Sequence, residues 1–389
     1  MSGRDLFCQP RRIRRGAALT LVFASVLVAG AATGNLPVSD RETAADDARP
    51  AAPVGRRADV ARAAQEAMTV GTSPLEAAER AVSRSGDRWA AVYSPDEYEE
   101  FEDALDGRYT GVGLWARERD GRIEVTKVGS GTPAAEAGIR AGDRLRSVDG
   151  EEVDGRPVTE VVSLLRGDGT GESAGTTVRL GLERGTRTWN ETLRRARLSR
   201  DTVTVRETAD RITVIEVAAF TKGSGDEVRT AVRRAPADAG IVLDLRGNPG
   251  GLVTEAVTAA SAFLDGGLVA TYDVEGEQRA LHAEPGGDTS RPLVALVDGG
   301  TMSAAELLTG ALKDRGRAVV VGSRTFGKGS VQMPTELPDG SVAELTVGHY
   351  RTPSGRSVDG RGLTPDLEAD DEALERAGTV LDGLGGPSR

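Results

Sequence analysis

Histidine is nearly missing from this chain: His282 and His349 are the only two in 389 residues. Neither has a second ligand-type side chain at metal-binding spacing, so both read as structural or surface residues, and neither a metal nor a cofactor is expected. The scarcity also disfavours a Ser-His-Asp arrangement, whose base would have to be one of these two. Cysteine is scarcer still, with Cys8 alone ahead of an apolar N-terminal segment. The body of the chain therefore has no disulfide and no thiol nucleophile. An excess of positive charge is absent too. The formal net charge is -11, spread over mixed-sign segments, which favours solubility and argues against a nucleic-acid surface.

Arg4, Arg11, Arg12, Arg14 and Arg15 precede an uncharged stretch running from Ala17 to Ala32. That lopsided charge marks an export signal, with everything after about residue 40 expected outside the cytoplasmic membrane. The apolar stretch is shorter than the ~20 residues of a comfortable spanning helix, and Ala29-Gly-Ala31 has the small-x-small form of a cleavage site. A cleaved signal and a retained anchor both fit.

The body divides by composition. Residues 1–40 form the signal or anchor, 41–56 a flexible Ala/Asp/Arg/Pro stalk, and 57–108 a small helical region in which Ser94-Pro-Asp-Glu97 opens a helix. Residues 109–198 change to short strands and glycine turns, such as Arg122–Val128 and Thr177–Leu182. Within them, Val158, Val161, Val162 and Leu165 fall at helical spacing between Pro157 and Gly167. Residues 199–382 alternate strand and helix: 211–217, 240–245, 292–297, a helix over 304–314 with Leu307, Leu308, Ala311 and Leu312 on one face, then 318–322. Such alternation predicts parallel βαβ units. A short helix over 371–381 precedes a frayed tail, 383–389.

Reactive groups in such units gather beyond the carboxyl ends of the strands. Ser303, in Gly299-Gly-Thr-Met-Ser-Ala-Ala-Glu306, follows one strand end, and Lys328, in Thr325-Phe-Gly-Lys-Gly-Ser-Val-Gln332, follows the next. A serine hydroxyl needs a base, and a lysine serves only when neutral, so burial must lower its pKa. Gln332 lies on the same face as Lys328 if that stretch is extended, and would orient the amine without adding charge. The Ala304 amide, at a helix N-terminus, would meet an oxyanion, with Gly251 of Leu243-Asp-Leu-Arg-Gly-Asn-Pro-Gly-Gly251 as the second donor. Plainer readings stand beside these: an N-cap serine, a solvated lysine, a glycine turn and an exposed strand glutamine.

Together with Gly111-Val-Gly-Leu114, Ser130–Gly138, Gly142-Asp-Arg-Leu145 and Tyr350-Arg-Thr-Pro-Ser-Gly355, these motifs occur in one order, over residues 95–381. In that order they resemble the C-terminal processing peptidases, or tail-specific proteases, a family of Ser–Lys endopeptidases with a PDZ domain. The resemblance implies a parallel-sheet βαβ (crotonase/ClpP-like) protease core, an inserted β-rich PDZ domain and a small helical N-terminal region. It carries the nucleophile to Ser303, the base to Lys328, the lysine-orienting glutamine to Gln332 and the oxyanion amides to Gly251 and Ala304. In the PDZ domain, Gly111, Val112, Gly113 and Leu114 would hold a peptide's terminal carboxylate and strand, with Val161 and Leu165 facing its side-chain pocket. Expected partners are proteins with accessible C-termini, the membrane where the N-terminal segment is retained, and an activating adaptor where gating requires one. The rival readings are a non-catalytic PDZ scaffold and a crotonase-like acyl-transfer enzyme. Two departures stand out: Met302 replaces a small residue before the serine, and Asp298 replaces an asparagine ahead of the glycine pair.

Overall fold

The computed structural model describes residues 53–167, 174–209, 211–274, 277–370 and 372–385. The export segment expected over 1–40 and most of the stalk lie outside them. Among the described residues no helix is long and apolar enough to cross a membrane. The described residues form two compact units: Arg108–Arg200, and 53–107 together with those from Asp201 onward.

The larger unit opens with α1 (Pro53–Thr69), α2 (Pro74–Ser85), β1 (Ala91–Tyr93) and α3 (Pro95–Leu105). Helix thus begins inside the stretch expected to be stalk, which shortens that stalk. Further along α1, Val60 and Ala64 recur one turn apart and pack with Ala78, Leu337, Ala343 and Leu345, and this burial holds the helix. Ser94 and Glu97 close a capping box on α3, as the sequence predicts.

The smaller unit comprises β2 (Arg108–Gly111), β3 (Leu114–Arg119), β4 (Arg122–Val128), α4 (Pro133–Glu136), β5 (Arg144–Val148), β6 (Glu151–Glu152), α5 (Val158–Arg166), β7 (Thr177–Arg184), β8 (Arg187–Arg194) and β9 (Ala196–Ser199). Strands β3-β4-β5-β7-β8 form one sheet, with β6 on β5, and β2 pairs with β9. Gly167 stops α5 in a left-handed conformation, φ 86°, which glycine adopts without strain. Ile123, Val125, Leu145, Leu180 and Leu182 meet the apolar face of α5 in one core.

The larger unit resumes with β10 (Val203–Glu207), β11 (Ile212–Val217), α6 (Ser224–Arg234), β12 (Gly240–Asp244), α7 (Val253–Ser261), β13 (Leu268–Val274), β14 (Glu277–His282), β15 (Leu293–Val297), α8 (Ala304–Asp314), β16 (Val319–Gly322), β17 (Ser330–Glu336), β18 (Val342–Arg351), β19 (Leu367–Glu368) and α9 (Ala373–Gly383). One sheet runs β10-β11-β12-β15-β16-β19. It is parallel from β11 through β19, with β10 antiparallel at its edge. A second, antiparallel sheet joins β1, β18, β13 and β14, with β17 also on β18. The strand-helix alternation does not foretell this second sheet. β14 exposes Glu277, Gln278, Arg279 and Ala280 and offers no apolar run, and β1 pairs with β18 across some 250 residues of chain. Helix α8 is buried from Ala304 through Leu312 on every side, so the one-sided face expected for it is corrected to a central core helix.

Candidate active site

Ser303 stands at the start of α8 with φ 54° and ψ -117°, a conformation that costs a non-glycine residue about 1–3 kcal/mol. Three hydrogen bonds hold it there. The Ser303 N–H donates to Glu306 at 2.9 Å, and its carbonyl accepts from Leu307 N–H at 3.0 Å and from the Tyr350 hydroxyl at 2.9 Å. A serine so constrained is presented by the backbone rather than by rotamer choice, as at a nucleophile elbow.

The glycine pair lies against it. A Cβ on Gly250 would come 2.9 Å from the Ser303 Cβ, and one on Gly251 would come 2.3 Å from the Phe220 carbonyl oxygen, with φ +125°. Only glycine fits this approach. The loop is pinned by fully buried Asn248, which donates to the Val217 carbonyl and accepts from the Gly250 amide, while its own carbonyl takes the Met302 N–H. Among the described residues no acceptor engages the Gly251 or Ala304 amide, which leaves two donors beside the serine. Gly251→Ala is expected to cost about 2–4 kcal/mol in urea unfolding and to displace one of these amides. Wild-type stability in that variant would mean the loop can give way.

Asp298 is accounted for by this loop. Its Oδ1 accepts from the Gly247 and Gly300 amides, each at 2.8 Å. Its charge is therefore met by backbone donors.

Glu306 is the residue that sequence reasoning quoted without giving it a role. It is buried completely and takes four donors: Ser303 N–H and Lys328 N–H on Oε2, Gly327 N–H and the Thr325 hydroxyl on Oε1. Burial pushes its carboxyl up, and these hydrogen bonds oppose the shift. Tyr350 makes the complementary link: its hydroxyl lies 2.9 and 3.0 Å from the Ser303 and Lys328 carbonyls, which share its one proton. One acceptor and one donor thus tie the serine turn to the lysine loop. The Ser-Ala-Ala-Glu spacing, a capping-box pattern, was the available signal for Glu306.

Lys328 is part-buried, and burial pushes its amine below the usual lysine range, while the charges of Glu344 and Asp87 act in the opposite sense. Its Nζ lies 5.2 Å from the centre of the Trp89 ring, and Trp89 also meets half-exposed Phe326 at 5.7 Å. Among the described residues Nζ has no hydrogen bond to Ser303 or to Gln332. The expected Gln332–Lys328 contact is not made: Gln332 Nε2 donates instead to Ser330 Oγ, two residues earlier on β17, and to Thr346 Oγ1, which the β17–β18 register sets opposite it. The structure thus gathers Ser303, Gly251, Ala304 and the lysine loop, and leaves the lysine amine turned to an aromatic wall.

In the smaller unit, β3 is an edge strand, open to pairing with an added strand. No described acceptor engages the Val112 or Gly113 amide, and Gly113 could carry no side chain because a Cβ would lie 2.3 Å from Thr132. Val161 and Leu165 are 0% and 5% exposed and belong to the core, as does Val112. These three support a peptide site from beneath more than they line its surface.

A strained serine at a buried helix start, with two amides beside it that no described acceptor engages and a lysine on the adjoining loop, makes this the candidate active site. Comparison with known proteins agrees. Residues 211–369 match the model of peptidase family S41, and residues 124–180 that of a PDZ domain. The chain is 33% identical over 298 residues (72% of this chain, 57% of that protein) to a probable CtpA-like serine protease of Staphylococcus haemolyticus strain JCSC1435. It is 32% identical over 289 residues (73% and 61%) to the carboxy-terminal processing protease CtpA of Bacillus subtilis strain 168. It is 34% identical over 308 residues (74% and 58%) to the chloroplastic carboxyl-terminal-processing peptidase 3 of Arabidopsis thaliana. Among solved structures, the photosystem II D1 C-terminal processing protease superposes with a TM-score of 0.51 at 29% identity, covering 81% of this chain and 87% of that one. The chain belongs to peptidase family S41, among the C-terminal processing peptidases with a PDZ domain. It spans 57–61% of the length of these curated relatives.

Proposed function

We propose that this protein is a serine endopeptidase that cleaves proteins recognised by their C-terminal tails, acting outside the cytoplasmic membrane on a crotonase/ClpP-like core. The observation that carries the reading is the Ser303 turn, strained and flanked by the unengaged Gly251 and Ala304 amides. The neutral Lys328 amine would take the Ser303 proton as Oγ attacks the scissile carbonyl, and the two amides would receive the oxyanion. The resulting ammonium would return the proton to the leaving amine, and the amine would then deprotonate the water that releases the acyl group. Because Lys328 turns to Trp89 in this structure, its amine must swing toward Ser303 before each acylation. The PDZ unit would take the substrate tail as a strand on β3, its carboxylate at the Val112 and Gly113 amides. Export rests on the arginine-flanked N-terminal stretch alone, and attachment to the membrane would follow only if that stretch is retained.

A fluorophosphonate probe tests this directly. Wild-type protein should form one covalent adduct, mapped by peptide mass spectrometry to Ser303, and should shorten proteins that carry apolar C-terminal tails. An adduct at another residue, or none with tails left intact, would refute the assignment.

A further inference from the structure

Gln332 is engaged, but away from Lys328. Its Nε2 donates to Ser330 Oγ at 2.7 Å and to Thr346 Oγ1 at 3.3 Å. Thr346 in turn donates from Oγ1 to Asp87 Oδ1 at 2.8 Å and from its backbone N–H to Asp87 Oδ2 at 2.9 Å. Chemistry fixes the sense of each bond. A carboxylate only accepts, and a hydroxyl carries one proton. With that proton committed to Asp87, Thr346 Oγ1 can offer Gln332 only a lone pair. The amide must therefore turn its N–H₂ toward Thr346 and its Oε1 away, and Oε1 accepts from no described donor. The same N-terminal segment reaches the lysine: Trp89, whose backbone N–H donates to Asp87 Oδ1 at 3.2 Å, lies under the Lys328 amine.

We propose that Asp87, in the loop between α2 and β1, is a positioning residue of the active site: acting through Thr346, it sets the polarity of the Gln332 amide so that Oε1 is the atom offered to Lys328. The polarity matters because a neutral amine has a single lone pair, the one that must take the Ser303 proton. An Oε1 acceptor binds an amine N–H and leaves that lone pair free; a reversed amide would donate into it. Asp87 thereby makes a loop more than 200 residues upstream part of the catalytic apparatus. The proposal rests on reading Ser303 and Lys328 as nucleophile and base.

The charged groups acting on the Lys328 amine are Glu344 of β18 and Asp87 itself, while Glu306 and Asp359 engage the neighbouring Lys328 and Gly329 amides. Removing the Asp87 charge withdraws support from the ammonium, so the amine should lose its proton at lower pH.

Three full-length variants test the relay by the fluorophosphonate labelling rate against pH, with thermal unfolding alongside. Thr346→Val keeps the branched shape and the backbone N–H to Asp87 but loses the hydroxyl; Thr346→Ser restores it. Thr346→Val and Asp87→Asn should label about tenfold or more slowly at the wild-type optimum, with Thr346→Ser close to wild type. Asp87→Asn should also move the acid limb of the profile to lower pH. Wild-type labelling by Thr346→Val, equal slowing in both Thr346 variants, an unmoved acid limb in Asp87→Asn, or losses that merely follow the folded fraction would overturn the relay. Failure of the underlying reading looks different: Lys328→Ala would label like wild type, and the relay would fall with it.

Discussion

Replacement of Lys328 by Ala is expected to slow acylation of Ser303 by about 10²–10⁴-fold while leaving the fold in place. The side chain is only part-buried and its amine makes no described hydrogen bond, so its loss orphans no partner; the Lys328 N–H that Glu306 needs is backbone and survives. Lys328→Arg sharpens the test. Arginine keeps a cation for the Trp89 face and for Glu344 and Asp87, yet it cannot lose its proton in a protein. It should be as inactive as alanine at every pH. Wild-type labelling should rise with pH through the folded pKa of Lys328, which burial holds below the usual lysine range, and that limb should vanish in both variants. The sign follows from the base having to be neutral: below its folded pKa the amine is protonated and idle. A Lys328→Arg protein with a normal rate and a normal acid limb would remove Lys328 from the mechanism.

What the sequence disclosed and what it hid divide along chain distance. Ser303, Lys328, Gly251 and Ala304 were legible because each belongs to a short motif at the end of a strand, and β12, β15 and β16 are continuous apolar runs whose parallel pairing follows from the helices between them. Val161 and Leu165 were placed on the right helix by their spacing, but spacing cannot distinguish a pocket wall from the core beneath it, and both proved to be core. Asp87, Trp89 and Tyr350 were not legible as site residues. Asp87 meets Thr346 across 259 positions, and Tyr350 meets Ser303 across 47. Such contacts depend on β18 sharing a sheet with β1 and β13 that no periodicity announces. Gln332 lies between the two cases: its motif and strand were readable, but the bond that fixes its amide comes from the far end of the unit.

Glu306 should prove the costliest side chain of the site to remove. Glu306→Ala leaves four donors without an acceptor in a fully buried place, at about 1–3 kcal/mol for each orphaned group, so a total loss above about 4 kcal/mol in urea unfolding is expected. Glu306→Gln should be far milder, for a stereochemical reason. Turned with Oε1 toward the Ser303 and Lys328 amides, the glutamine keeps both of the hydrogen bonds that matter to catalysis. Its N–H₂ then faces Thr325, whose hydroxyl oxygen can accept while its proton must turn to another acceptor, and the Gly327 amide is orphaned, at about 1–3 kcal/mol. Labelling at Ser303 should accordingly survive in the glutamine variant and be lost in the alanine variant even at temperatures where it remains folded, because the strained Ser303 turn has lost the bond on its amide. Tyr350→Phe provides the scale. It removes one shared donor, and the Ser303 carbonyl still accepts from Leu307, so about 1 kcal/mol is expected. If Tyr350→Phe proved costlier than Glu306→Ala, or if the alanine variant kept wild-type stability and labelling, the carboxylate would not be what joins the serine turn to the lysine loop.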